Sequence, residues 1–321
     1  MKIDAVITWV DGNDPVHRAK RRRYADPGML DAVDVAGETR FVEVGEIAWC
    51  VASLNRFAPW INRIYIVTDD QDPGLIPFME RSFPQGYIPM EIIDHRVIFR
   101  GYEQYLPTFN SISLETMTWR IPGLSDHFIE FNDDLMLTAP VLPEDFFTED
   151  GRVICYGEWS NIQFTQLTRL LKPVRNGRRT VTTKGSHMNG ARVAGNRFRY
   201  LRLAHCQKAL RRDFYERYFT EHPENMVRNI SYRFRSADQF TPQAVQYINL
   251  NEHDGCVIKS PGNDFFYLMP KKGQEYFDEK LHKLECFNGK FACFNSIDMA
   301  TEEQRHALVR WIEKLLDIKI L

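Results

Sequence analysis

The run His127-Phe128-Ile129-Glu130-Phe131 has the apolar, aromatic character of a buried strand and stops abruptly at Asn132-Asp133-Asp134. No other stretch limits the possible fold so sharply. Three short polar side chains pack poorly at a strand tip, yet their oxygens suit a hard cation such as Mg²⁺ on a diphosphate. The same residues also suit a plain Asx turn. In open α/β sheets, ligands gather just beyond the carboxyl ends of the strands, where this tripeptide would lie.

Three earlier runs repeat the pattern. Residues 2–10 end at Asp11-Gly12-Asn13-Asp14-Pro15, 61–68 at Asp69 and Asp70, and 90–93 at Asp94 and His95. Helix-prone stretches at 17–24, 43–57 and 75–83 separate them. This alternation predicts a parallel, Rossmann-like sheet. The first turn is not a GxGxxG, so the dinucleotide fingerprint is absent. Further helices are expected over 113–120, which carries Glu115, over 201–219 with His205 in its first turns, over 264–284 and over 302–316. Thr108, Asn110 and Ser111 would cap the helix at 113 or line a pocket. Residues 25–40 read as an acidic loop, and 290–298 as a strand ending at Asn295. Gly185-Ser186-His187-Met188 looks like a cloning remnant, but coherent sequence on both sides makes it part of the chain.

Bulk properties narrow the function. The chain has 321 residues, 44% hydrophobic, and a net charge of −2, so nothing global points to nucleic acid. No apolar run approaches the roughly 20 residues that span a membrane. Asp4 interrupts the N-terminal apolar stretch, which argues against a secretory signal and for a cytoplasmic protein, at most peripheral to a membrane. The six cysteines form no CxxC pair, so reduced thiols are expected rather than a zinc or redox motif. Residues 169–212 hold 13 Lys or Arg and no acid. That block is either a solvated surface or an electropositive wall for a phosphate-bearing partner. It lacks the interleaved aromatics of a single-strand nucleic-acid binder.

Several stretches together resemble the Stealth family of sugar-phosphate transferases. IDAVITWVDGNDP is similar to the family's first signature. FAPWINRIYIVTDDQDP, LPTFNSISLE and RIPGLSDHFIEFNDDLML are similar to its long second one. AHCQKAL with RFRSADQ resembles the third, and KFACFNSID the fourth. The chain departs from the pattern at Ala48-Trp49, where the family usually has Arg, at Met117 in place of His, and at Gln207 in place of Pro.

The resemblance implies a glycosyltransferase-A-like α/β fold, with a mostly parallel sheet flanked by helices and a helical basic insertion. It implies one catalytic domain over 1–321. Residues 1–160 would form a nucleotide-sugar-binding core, 161–260 a basic, mainly helical acceptor and catalytic part, and 261–321 a C-terminal part returning to the core. The implied reaction moves sugar-1-phosphate from a nucleotide sugar to an acceptor sugar hydroxyl, releasing a nucleoside monophosphate, in bacterial capsule or exopolysaccharide synthesis. Oligosaccharide or polysaccharide would be the acceptor and Mg²⁺ or Mn²⁺ the cofactor.

The resemblance also assigns residues. Asp133 and Asp134 would hold the metal, and Asp134 would share the catalytic work. His205 would take the acceptor's proton, since histidine titrates near neutrality. Arg235, with Arg233, would bind phosphoryl oxygens through the guanidinium fork; an ion pair with Asp238 is the competing role. Glu115 would be an acid/base or supporting group. Asp11, Gly12, Asp14, Asn110 and Asn295 would contact the donor. Asp4 and Trp9 are open between site and packing roles. Two other functions compete: a metal-dependent glycosyltransferase that releases a nucleoside diphosphate, and a polyanion-binding protein using 169–212.

Overall fold

A computed structural model describes residues 1–25, 44–170, 182–270 and 273–320. The acidic loop at 26–40 and most of the basic stretch around Arg178 and Arg179 lie outside these residues.

Strands β1 (Ile3–Thr8), β2 (Ile64–Thr68), β3 (Met90–Asp94) and β4 (His127–Asn132) form a parallel sheet in the order β3-β2-β1-β4. Every residue of β1 and β2 is buried. That explains why both read as continuous apolar runs rather than alternating ones: a central parallel strand is covered on both faces. The chain reverses its strand order between β1 and β4, and this switch point opens a crevice at their carboxyl ends.

Asp4 lies at the opposite end. Its carboxylate accepts from Asn62 Nδ2 at 2.8 Å and Ser125 N at 2.7 Å, tying together the loops that enter β2 and β4. It is a structural residue.

The reading of 201–219 as one helix is corrected here. β7 (Arg199–Leu203) comes first, then a turn holding His205, then β8 (Lys208–Arg211), and only then the helix Arg212–Glu221. Tyr200, Leu201, Ala209 and Leu210 are all buried, and pairing with neighbouring strands overrides the helical propensity of the run. β8 runs antiparallel to β4, with Glu130 opposite Lys208, and becomes the fifth strand of the central sheet. The basic part at 161–260 therefore supplies a strand of the core as well as helices. The expected helix at 264–284 likewise begins as a strand, β10 (Phe265–Leu268), before the helix Gln274–Glu285. The helix at 113–120 is a short turn of helix, Ser111–Glu115, followed by a 3₁₀ segment.

After β4 the chain turns at Asn132–Asp134 and enters β5 (Leu135–Leu137), which pairs with β11 (Phe291–Phe294) beside β10. This second sheet has its own core, built on Met136, Phe277, Leu308, Ile312 and Leu316. β6 (Val153–Asn161) joins β7 and β9 (Cys256–Lys259) in a third sheet. The Asn-Asp-Asp turn thus sits where the central sheet hands over to the C-terminal one, and residues from both ends of the sequence meet there. Five of the six cysteines are buried, and all six are free thiols.

Candidate active site

A cleft of about 730 Å³ opens at the switch point. Trp9, Asn110, Ser111, Glu115, Asp133, Asp134, His205, Arg235 and Asn295 all line it. Residues separated by almost 300 positions in the sequence therefore converge on one space.

Asp134 is its hub. Its Oδ2 lies 3.4 Å from His205 Nε2 and accepts from Asn295 Nδ2 at 2.8 Å and Cys293 Sγ at 3.4 Å. Burial alone would raise this carboxyl; the charge of His205 and the hydrogen bonds from His205, Asn295 and Cys293 outweigh it and hold the group down at about 2. The second sheet supplies two of these donors, Cys293 and Asn295. Cys293 pairs with Leu135 across β5 and β11, and Asn295 follows two residues later. Ser296 adopts a left-handed φ of 57° and donates to Asn295 Oδ1 at 3.0 Å, which turns the amide's Nδ2 toward Asp134. Burial, then Asp134, pushes the Cys293 thiol well above its usual range, so it remains a protonated donor.

The divalent cation fits one part of this turn. Asn132 Oδ1 and Asp134 Oδ1 are buried oxygens with no hydrogen-bond partner among the described residues. Orphaned oxygens in one turn, with the Asp133 carboxylate beside them, are the donor type that Mg²⁺ takes. Asp134, His205 and Cys293 also offer ligand atoms within 4.8 Å of one another. An imidazole and a thiol suit zinc-like ions better than Mg²⁺, and a liganded His205 could not accept a proton.

Arg235 reaches the cleft with Nη2 2.9 Å from Ser111 Oγ. Asn110 holds this arrangement. Its Nδ2 donates to Tyr232 O, Phe234 O and Gln239 Oε1, at 3.1, 3.1 and 2.9 Å, and its Oδ1 accepts from Ile112 N. Its amide is spent on holding the loop that carries Arg235 rather than on reaching a ligand. Asn110→Ala should therefore lower the melting temperature, because several buried groups each lose a partner worth about 1–3 kcal/mol. It should also slow turnover through Arg235. An unchanged melting temperature would remove the clamp.

Four other expected contacts lie off the cleft wall. Asp14 caps the helix Pro15–Tyr24, accepting from Val16 N and His17 N at 2.6 and 2.9 Å. The His17 amide chiefly holds its carboxyl below the usual range. The Asp11 backbone exchanges hydrogen bonds with the Gln71 side chain at 3.0 Å in each direction, its carboxylate accepts from Asn13 N at 2.8 Å, and Gly12 is buried in the same turn. Arg233 donates to Leu106 O at 3.0 Å and lies over the Tyr24 ring at 4.9 Å. These residues shape the rim; the residue that Asp14 delivers to the cleft is His17.

The sequence reading missed several cleft residues. Among the described residues, His95, 2% exposed, has both ring nitrogens without partners, and Thr108, already expected to cap a helix or line a pocket, has an orphaned Oγ1. With His17 and Trp9 they form a second arm of the cleft. Burial drives His95 down to about 4, so it stays neutral. His187 comes from the remnant-like GSHM, inside the helix Thr183–Val193, and burial drives it to about 3. Its signal was hidden by a familiar-looking tetrapeptide.

Behind the cleft floor, Gln243 Nε2 donates to Glu115 at 2.9 Å and to Glu130 at 2.8 Å. Burial, then Glu115, pushes Glu130 up to about 8, against the pull of Lys208. An acid whose folded value is raised holds its proton only in the native state. The stability this confers is complete below the unfolded value and is lost as pH rises through the folded one. Glu130→Gln should therefore shrink the fall in melting temperature between about pH 5 and about pH 8.5. An equal fall in both proteins would contradict the assignment.

Fold and cleft together define an α/β chain with a mostly parallel central sheet and an acidic turn at the switch point of that sheet. Family models identify two parts of it: Stealth protein conserved region 1 matches residues 1–26 and Stealth protein conserved region 2 matches residues 40–154. It is 35% identical over 243 residues to an exopolysaccharide phosphotransferase of Streptomyces coelicolor, covering 75% of this chain and 41% of that one. It is 41% identical over 150 residues to the capsular polysaccharide phosphotransferase WcwK of Streptococcus pneumoniae, covering 47% and 42%. The capsular polysaccharide phosphotransferase LcbA of Neisseria meningitidis is 41% identical over 153 residues, covering 47% and 39%. The chain thus spans less than half the length of these relatives. The solved glycosyltransferase GlyE of Streptococcus pneumoniae superposes with a TM-score of 0.43 at 11% identity, over 99% of this chain and 63% of that one, too distant to carry an argument. His205, Arg235 and Asn295 lie beyond the two matched regions; the fold brings them to the turn at Asp134. No helix among the described residues is long and apolar enough to cross a membrane.

Proposed function

We propose that the chain transfers sugar-1-phosphate from a nucleotide sugar to an acceptor sugar hydroxyl, forming a phosphodiester and releasing a nucleoside monophosphate. The acceptor is an oligosaccharide or polysaccharide of a bacterial capsule or exopolysaccharide, and the work is done in the cytoplasm. One observation carries the reading: His205, held 3.4 Å from a carboxylate, faces the same cleft as Arg235. In-line phosphoryl transfer needs a positioned nucleophile, a group to take its proton and cations on the phosphoryl oxygens.

His205 takes the proton of the acceptor hydroxyl at Nε2. Asp134 and Asn295 fix where the imidazole can sit, and the charge on Asp134 favours the imidazolium that forms. Arg235 offers its fork to the transferred phosphoryl group, and Ser111 fixes its angle. Mg²⁺ held by Asp134, Asp133 and Asn132 would neutralise diphosphate charge. On the arm beside His17, His95 and Thr108 have unmade hydrogen bonds, among the described residues, for the nucleoside. Relatives named as phosphotransferases of capsular and exopolysaccharide support the same direction.

The test is a panel of nucleotide sugars with Mg²⁺ and a polysaccharide acceptor, followed by identification of the nucleotide released. A nucleoside monophosphate is expected. A nucleoside diphosphate would replace this reading with ordinary glycosyl transfer.

A further inference from the structure

Lys208 stands opposite Glu130 in the β4–β8 register, so both side chains leave the sheet on one face. Glu130 is fully buried and Glu115 is 9% exposed. A single amide nitrogen of Gln243 serves both carboxylates, which places the two acids side by side. Lys208 comes near this pair but does not close on it. Among the described residues its ammonium makes no hydrogen bond or ion pair, and it lines the cleft beside His205 and Arg235.

The charge on that ammonium is secured. Burial works against it, but the surrounding acids, Glu115 first, more than compensate and raise the group, even though Glu130 itself keeps its proton up to about 8. His187, the neighbouring base, is driven neutral by burial and then by Lys208 itself. A half-buried cation kept charged by acids it does not touch lacks a close counter-ion. The open side of Lys208 is the cleft, where Arg235 supplies a second cation. Two cations lining one cleft match a phosphate or diphosphate better than a single carboxylate.

We propose that Lys208 is the cation of the cleft floor that contacts the phosphate oxygens of the bound nucleotide, and that Glu115 and Glu130 are its positioning residues. This rests on reading the cleft as a nucleotide-sugar site. It moves Glu115 from acid/base chemistry to holding a lysine.

Calorimetric binding of inorganic pyrophosphate to the full chain tests it, with melting temperature measured without ligand. Lys208→Gln should weaken pyrophosphate binding about tenfold or more, as loss of a charge-assisted hydrogen bond does. Lys208→Arg should restore most of the affinity. Glu115→Gln should also weaken it while leaving the shape of the pH–rate profile intact. Wild-type affinity in Lys208→Gln overturns the proposal. So does a Lys208→Gln protein that only loses stability and regains it when Glu115→Gln is added, with pyrophosphate affinity constant throughout. A nucleoside diphosphate in the product assay would sink the transfer chemistry above and leave Lys208 as a diphosphate contact, so the two failures are separable.

Discussion

Asp134→Asn should cost turnover about a thousandfold or more, the scale seen when a carboxylate that orients a catalytic histidine is neutralised. The substitution keeps the volume and removes the charge. Three donors converge on Oδ2: His205, Asn295 and Cys293. An amide there would turn one of those contacts into donor against donor, or replace the unpartnered Oδ1 by a donor. The imidazole of His205 would lose both its anchor and its charge partner, and the cation would lose a ligand. Fold should survive, because Asp134 sits in a turn whose backbone is held separately, with Phe294 N donating to Asp134 O at 2.9 Å. Initial rates alongside thermal melting check this. A folded variant working within tenfold of wild type would show that the hub of the site is elsewhere.

The sequence announced this turn and not its surroundings, for a physical reason. A strand tip is a local event: Phe128, Ile129 and Phe131 bury themselves completely, while Asn132, Asp133 and Asp134 are left half-buried at the crevice. The same holds for the tips of β1, β2 and β3, so the parallel sheet could be read from its runs. What faces the turn is set by tertiary pairing. Cys293 arrives only because β11 lies antiparallel to β5, and Lys208 only because β8 lies antiparallel to β4. Neither pairing leaves a mark in the local pattern. The helix expected over 201–219 fails on the same ground: Tyr200, Leu201, Ala209 and Leu210 are apolar at spacings both periods tolerate, and the sheet decides.

Polar residues near a tip misled in a second way. Asp11, Asp14 and Arg233 have the chemistry of substrate contacts, yet loop, cap and ring contacts engage them. Short acids and arginines do both jobs, and only partners on the far side distinguish them. Asn110 is the intermediate case: it lines the cleft, but its amide is committed to the loop at 232–239. Its effect on chemistry passes through Arg235. The positions of Asp134 and Asn295 at the cleft could be read from sequence because each lies within two residues of a strand end, where a side chain faces the crevice.

His205→Ala should lose about a hundred- to ten-thousand-fold in turnover while still binding the donor. The imidazole is 3.4 Å from Asp134 and packs edge-on against Tyr267, with ring centroids 6.4 Å apart, which leaves it exposed on the cleft side. A group so placed can reach an acceptor hydroxyl without leaving its anchor. The pH profile separates it from its neighbour. Asp134, held at about 2, stays ionised across the working range and contributes no limb there. An acidic limb in kcat/KM should therefore belong to the proton acceptor and should vanish in His205→Ala. Arg235→Lys should behave differently. It keeps the charge and loses the fork, so turnover should fall while the limb remains, because Arg235 stabilises phosphoryl charge and holds no proton in the reaction. A His205→Ala protein with near-normal rates and an intact limb would mean that the acceptor's proton leaves by another route. The cleft then offers His17 as the group to replace next.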